Sequence, residues 1–232
     1  NGATMSKVSL VGMTTPSAAT GCETANQLIA YSARVSNPEN QNHHESAPRL
    51  LRYLIREGHW SPFEMVSITM EIKTTRDIAR QILRHRSFSF QEFSQRYAVQ
   101  ENFQWREARL QDKKNRQNSI SIEDEDFGKG GNKSQHERLY EEWNMRQANV
   151  INASKEAYQW ALNNGIAKEQ ARAVLPEGNT QSTLYMAGTL RSWIHYCELR
   201  RGHGTQKEHM QVAEKCWKII EGHFPDIAEA VE

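Results

Sequence analysis

Residues 64–97 read EMVSITMEIKTTRDIARQILRHRSFSFQEFSQRY, and two hydrophobic periods meet inside them. From Glu64 to Lys73 the apolar residues Met65, Val66, Ile68, Met70 and Ile72 fall largely on one period-2 face, which predicts a strand. From Thr75 to Arg86 the residues Ile78, Ala79, Ile82 and Leu83 recur at helical spacing. A strand that runs straight into a helix makes this a chain of mixed class.

Working outward, Lys7–Met13 is a short apolar run suited to a first strand. Glu23–Val35 and Ala47–Glu57 read as helices, the second opening at Ser46 with Pro48 in its first turn and closing at Gly58. Residues 111–134 are rich in Lys, Asn, Asp, Glu and Gly, including Glu123-Asp124-Glu125-Asp126 and Gly130-Gly131. Nothing there is suited to burying a core, so a mobile surface insertion is expected. A long helix near His136–Asn164 follows, with Leu139, Trp143, Val150, Ala157 and Ala161 inward and Gly165 past its end. Ser182–Thr189 reads as a strand, and Arg191–Arg201 and Gln206–Gly222 as two further helices. Interspersed strands and helices place the chain in the α/β or α+β class, as one domain over residues 5–232. Asn1–Thr4, ahead of Met5, read as an appended remnant.

Composition narrows the function. The chain has 232 residues, 38% of them apolar and 25% charged, with a formal net charge of +1. A protein that coats nucleic acid is usually far more basic, so an anionic ligand must be met by a local arginine cluster. No apolar run reaches the roughly 18–20 residues of a membrane span, and no signal peptide is read at the N-terminus. Cys22, Cys197 and Cys216 are far apart and form no CxxC, which fits a reducing, cytoplasmic setting. The nine histidines, among them His43, His44, His203 and His209, form no recognised metal-ligand spacing and read as surface residues. A metal hydrolase is therefore disfavoured, and no metal is expected.

Arg76, Arg80 and Arg84 lie at i, i+4 and i+8, where like charges disfavour a helix by about 0.2–0.5 kcal/mol per pair. Asp77 can partly neutralise Arg80. Taken alone the stripe could be a solvated basic face. Beyond it come Arg84-His85-Arg86, then Ser87, Ser89, Gln91, Glu92, Ser94, Gln95, Arg96 and Tyr97, interleaved with Phe88, Phe90 and Phe93. The rings can anchor the segment while the polar groups face a cavity. Arginine forks match phosphate oxygens, so the set suits a nucleotide monophosphate. The same pattern could serve stacking and phosphate contact in a nucleic-acid module, although the net charge argues against that.

Arg84-His85-Arg86, seven residues, then Ser94 resembles the RHRx7S signature of the flavin-dependent thymidylate synthases. Gly58-His59-Trp60-Ser61-Pro62-Phe63-Glu64 resembles the GHxSPFEH segment of that family, with Met65 in place of His. Ala171-Arg172-Ala173-Val174-Leu175-Pro176 is similar to its ARxVLP segment, and residues 188–193 to a stretch with flavin contacts. Thr189 stands where the family often has Asn, and Gly204 where it has His, with His203 one place earlier. The resemblance covers about residues 29–213, apart from the polar stretch.

That resemblance implies a mixed central sheet flanked by helices and a homotetramer with sites shared between subunits. It implies reductive methylation of dUMP to dTMP with FAD, methylenetetrahydrofolate as carbon donor and NADPH as reductant. For dUMP it implies Gln81, Arg84, Glu92, Ser94, Gln95, Arg96, Arg172 and Arg200. For FAD it implies Ser61, Glu64, Arg84, His85, Arg86, Glu92, Thr189, Arg191 and His195. Arg200 takes the position of the arginine that activates the pyrimidine, with Arg201 beside it as a rival. A guanidinium suits that role because it is always charged and offers aligned donors to developing negative charge. Cys22 and Cys216 lie in bland helical sequence and Cys197 has no basic helper, so a thiolate nucleophile is not expected, and Ser94 reads as a hydrogen-bond donor to substrate.

Overall fold

Strand β2 (Ser67–Thr75) buries Ile68, Met70, Ile72 and Thr74 in strict alternation, the period-2 face read from the sequence. It begins later than expected because Ser61–Met65 form a 3-10 turn with Pro62 at its start, which leaves Met65 exposed. The computed structural model describes residues 6–96, 98–100, 102–124 and 133–232. Tyr97, the Glu125-Asp126 and Gly130-Gly131 pieces of the polar stretch, and residues 1–5 lie outside them.

The main sheet has the order β1-β2-β6-β3, with β1 (Lys7–Met13), β3 (Ser89–Glu92) and β6 (Gln181–Thr189). Every pairing is antiparallel, so the expected mixed sheet is corrected to an antiparallel one. The physical reason is the one-sided burial. Along β6, Ser182, Leu184 and Met186 point inward while Tyr185 is exposed. Antiparallel sheets tolerate one solvated face; parallel ones are covered on both.

The inward face meets α1 (Ala25–Ala33), α2 (Ala47–Arg56), α3 (Arg76–Ile82), α6 (Leu190–Arg200), α7 (Lys207–His223) and α8 (Pro225–Val231) in one hydrophobic core. Its largest fully buried members include Trp193 and Trp217. Trp193 Nε1 donates to the Ile68 carbonyl at 3.0 Å, fastening α6 to the middle of the sheet. Pro225 starts α8 with the missing N–H where none is needed.

Two expectations fail in the middle of the chain. The polar stretch is not featureless: β4 (Arg109–Gln111) and β5 (Ser119–Ser121) pair as a hairpin, and Ile122 behind them is fully buried. The long helix α4 (Lys133–Asn163) turns a different face inward. Its buried row is Gln147, Ile151, Ser154, Tyr158 and Ala161, of which Ala161 was expected inward, whereas Trp143, Val150 and Ala157 are exposed and Leu139 is half-buried. Gln147 is inward because it accepts from the Arg106 backbone N–H at 2.7 Å and donates back to the Arg106 carbonyl at 2.9 Å. A buried row with satisfied polar members does not show in an apolar period. After α4 come the short α5 (Lys168–Ala171) and a 3-10 turn over Arg172–Val174.

Candidate active site

Helix α3 ends at Ile82, so Arg84-His85-Arg86 lies in the turns between α3 and β3 rather than in the helix, and Leu83 is exposed. The arginine stripe is resolved by three different fates. Arg76 is half-buried and pairs with Glu92 at 3.3 Å, and Arg80 pairs with Glu177. Arg84 is exposed and pairs with no other described residue. Asp77 does not serve Arg80: it holds Arg106 at 2.9 Å, together with the Thr75 hydroxyl. Arg86 is exposed and unpaired among the described residues. Arg84 and Arg86, on either side of His85, are thus left facing outward with no partner among the described residues.

Helix α6 supplies the opposite wall. Thr189 is its N-cap, and its hydroxyl accepts from the Ser192 N–H at 3.2 Å. Arg191, His195 and Leu199 follow at one-turn spacing and line an open cavity of about 350 Å³ with Glu64, His85 and Phe88. Glu64 pairs with Arg191 at 3.3 Å, and the His195 ring meets the edge of Trp60 at 4.7 Å. The Gly58–Glu64 turn and α6 are therefore one surface. Ser61 is exposed beside it.

At the end of α6 the two adjacent arginines part. Arg200 Nε donates to His85 Nε2 at 2.8 Å, which leaves its two Nη groups without a described partner. Arg201 turns the other way: its guanidinium stacks 4.5 Å above Trp217 and its Nε donates to the Cys197 carbonyl. Burial and the Arg200 charge both hold the His85 imidazole below its ordinary pKa, so it meets Arg200 as a neutral acceptor.

The remaining residues form two further groups. Glu92 gives Oε1 to Arg76, while its Oε2 is buried with no partner. An orphaned carboxylate oxygen costs stability unless a ligand hydroxyl or amine fills the gap. Arg96 and Arg172 gather at Glu169: Arg96 Nε donates to the carboxylate and Arg172 Nε to the backbone carbonyl, both at 3.1 Å. Ser94 Oγ accepts from the Arg96 N–H. Gln95 is buried and donates to Gln100 at 3.4 Å, and the Gln100 N–H donates to the Tyr158 hydroxyl. The Gln95 Nε2 is turned into the protein.

Gln81 sits in a network that sequence reading missed. His209, expected at the surface, is fully buried, with Nδ1 3.1 Å from Gln81 Oε1 and Nε2 2.8 Å from the Tyr196 hydroxyl. The signal was present: the buried row Val212, Ala213, Cys216, Trp217 and Ile220 of α7 extends back to His209 at helical spacing.

Burial, then Arg200 and His85, push the His209 pKa from 6.5 down to about 3. Between these values the unfolded chain binds the proton and the folded one does not, so the stability from neutral His209 is complete above pH 6.5 and lost toward pH 3. Urea unfolding is expected to weaken by up to about 1.4 kcal/mol per pH unit below pH 6.5 from this group. His209→Asn is expected to flatten that slope.

The cysteine thiols are poor nucleophiles. Cys197 and Cys216 are fully buried, and burial pushes both thiol pKa values well up. Cys22 is half-buried and does not line the cavity, with Sγ toward the Thr20 carbonyl. Substituting each cysteine by alanine is expected to leave turnover largely intact in protein that folds. Loss of a true covalent nucleophile costs on the order of a millionfold, so steady-state rates separate the two cases.

A separate cavity of about 440 Å³ lies under the β4–β5 hairpin; of the charged groups that line it, Arg106, Arg109, Glu107 and Glu208 pair among themselves, while Arg116 is exposed. Arg109 and Arg106 both hold Glu208. No helix among the described residues is long and apolar enough to cross a membrane.

The family described as thymidylate synthase complementing protein matches residues 19–226. A probable flavin-dependent thymidylate synthase of Paramecium bursaria Chlorella virus 1 is 50% identical over 224 residues, covering 96% of this chain and 97% of that protein. A flavin-dependent thymidylate synthase of Synechocystis sp. is 51% identical over 205 residues, 88% of each chain. The crystal structure of the UMP/dUMP methylase PolB from Streptomyces cacaoi, bound with 5-Br dUMP, superposes with a TM-score of 0.77. It is 28% identical and covers 97% of this chain and 93% of that one.

Proposed function

The chain belongs to the flavin-dependent thymidylate synthase family, and from that premise we propose that Arg200 is the residue that activates dUMP. The protein is an FAD-dependent methyltransferase that converts dUMP to dTMP. The observation that carries the assignment of Arg200 is its anchorage: its Nε is fixed to neutral His85, which lines the cavity, and its Nη groups have no partner among the described residues.

Methylation at C5 of uracil requires that carbon to act as a nucleophile, which moves negative charge onto the pyrimidine. Two aligned N–H donors of a guanidinium that is already oriented stabilise that charge without reorganisation. Arg201 is committed to Trp217 and Cys197 and is not available for this. Arg84, Arg96 and Arg172 supply the cations for the phosphate, with Gln81, Glu92 and Ser94 for the nucleoside. The unpartnered Glu92 Oε2 is suited to a ribose hydroxyl. Gln95 acts by shaping the segment from within.

The residues present fit FAD. Arg84, Arg86 and Arg191 offer positive charge to a diphosphate, and His85, His195 and Trp60 offer ring surfaces beside the cavity. Ser61, Glu64 and Thr189 complete the rim. Bound FAD, once reduced, supplies the hydride that completes the methyl group. Methylenetetrahydrofolate as carbon donor and NADPH as reductant belong to the same proposal. So does self-association as a homotetramer, which would cover exposed apolar side chains such as Val150 and Trp160 of α4, 48% and 63% exposed. A cytoplasmic setting, without nucleic-acid or membrane partners, fits three free cysteines and a net charge of +1.

Flavin titration tests the cofactor assignment. Wild-type protein is expected to quench FAD fluorescence, and Arg191→Ala to weaken binding by about tenfold, the equivalent of one charge-assisted hydrogen bond. Undiminished affinity in Arg191→Ala would remove that residue from the flavin site.

A further inference from the structure

The geometry points to Tyr196 and His209 as positioning residues that lock the amide of Gln81, so that it presents an N–H donor to the dUMP. This inference rests on the reading of Gln81 as a dUMP ligand.

The Tyr196 phenol has one place among the described residues to put its proton. Tyr196 is 2% exposed, and among the described residues its hydroxyl has one hydrogen-bond partner, His209 Nε2 at 2.8 Å. If His209 carried its proton on Nε2 and donated to Tyr196, the buried O–H would have no acceptor, which costs on the order of 1–3 kcal/mol. Tyr196 therefore donates and Nε2 accepts. A neutral imidazole with a bare Nε2 carries its proton on Nδ1, and His209 is held neutral by burial and by the nearby Arg200 and His85.

His209 Nδ1–H then donates to Gln81 Oε1 at 3.1 Å. The Gln81 amide cannot flip without setting its own N–H against that donor. Its Nε2 consequently faces the other way, donating one hydrogen to Gln206 Oε1 at 2.9 Å. The second hydrogen of Nε2 is left over. Gln81 is only partly buried, so this hydrogen can meet an acceptor oxygen of the nucleotide. The direction of the whole relay, Tyr196 to His209 to Gln81 to Gln206, is set by the single buried phenol. Left to itself a glutamine amide offers donor or acceptor with little preference; here one is selected before substrate arrives, which lowers the cost of binding.

The test uses the full-length holoprotein and measures Kd and KM for dUMP, kcat, and FAD affinity. Tyr196→Phe and His209→Leu are expected to raise the dUMP Kd and KM by about tenfold, the equivalent of one hydrogen bond. FAD affinity and the kcat of saturated enzyme are expected to change far less. His209→Asn, whose amide keeps a donor where Nδ1 lies, is expected to restore most of the affinity lost in His209→Leu. Folded variants with unchanged dUMP affinity would overturn the inference while leaving the synthase reading intact. Wild-type protein that binds no dUMP would overturn the reading itself. Nitrogen-15 NMR of the wild-type imidazoles, with His209→Asn used only for assignment, reads the tautomer in the intact protein: a protonated Nδ1 and bare Nε2 at His209 are expected, and the opposite tautomer would overturn the inference.

Discussion

Arg200→Lys is expected to lower kcat by about 10²–10³, the cost of removing one preorganised donor to a developing anion, while dUMP still binds. Lysine keeps the charge but offers no fixed fork, and it cannot donate to His85 Nε2 while facing a ligand along a second edge. The present arrangement separates these tasks, since Nε is used for anchorage at 2.8 Å and the Nη groups are spare. Arg201→Lys provides the control. It disturbs the stacking on Trp217 and is expected to show in the melting temperature rather than in kcat. Equal losses of kcat in the two variants would remove the distinction drawn between them. A full kcat for Arg200→Lys would remove Arg200 from the chemistry.

Gly188→Ala is expected to destabilise the protein by about 1–3 kcal/mol through overpacking, equivalent to about 2–4 °C in melting temperature per kcal/mol for a chain of this size. A Cβ at position 188 would lie 2.5 Å from Phe88 Cδ1 and 2.7 Å from Cε1. Phe88 has little room to retreat. Its ring packs edge-on against Trp193 at 4.9 Å and against Tyr196 at 5.8 Å. It also lines the cavity that holds His85 and Arg191, so turnover should fall along with stability. Phe88→Leu in the same background relieves the clash and is expected to recover part of the melting temperature. An unshifted Gly188→Ala would mean that the ring is not held there.

Arg200 and Phe88 were both legible in the sequence, the first by its motif and the second as a ring interleaved among polar groups. The turn from β2 into α3 was visible in its change of period, and Arg84, His85, Arg191, His195 and Arg200 were singled out by motif. Three features were hidden for physical reasons. The inner row of α4 contains Gln147 and Ser154, whose polarity is satisfied internally, so the apolar residues alone traced a false face. Ile122 is one buried anchor in a polar stretch, too sparse to register as a period. The pairing of Asp77 with Arg106 joins residues 29 apart, and a local reading could only match Asp77 with its neighbour Arg80. His209 differs, because the apolar period of α7 already pointed to it and its residue type argued against burial.

The central claim is that this chain methylates dUMP with a flavin and without a cysteine nucleophile. Release of tritium from C5 of labelled dUMP, with methylenetetrahydrofolate and NADPH and with or without FAD, tests it most directly. The account predicts release that requires FAD and survives substitution of all three cysteines in folded protein. Release that proceeds without FAD, or no release from folded protein that binds both dUMP and FAD, would contradict it.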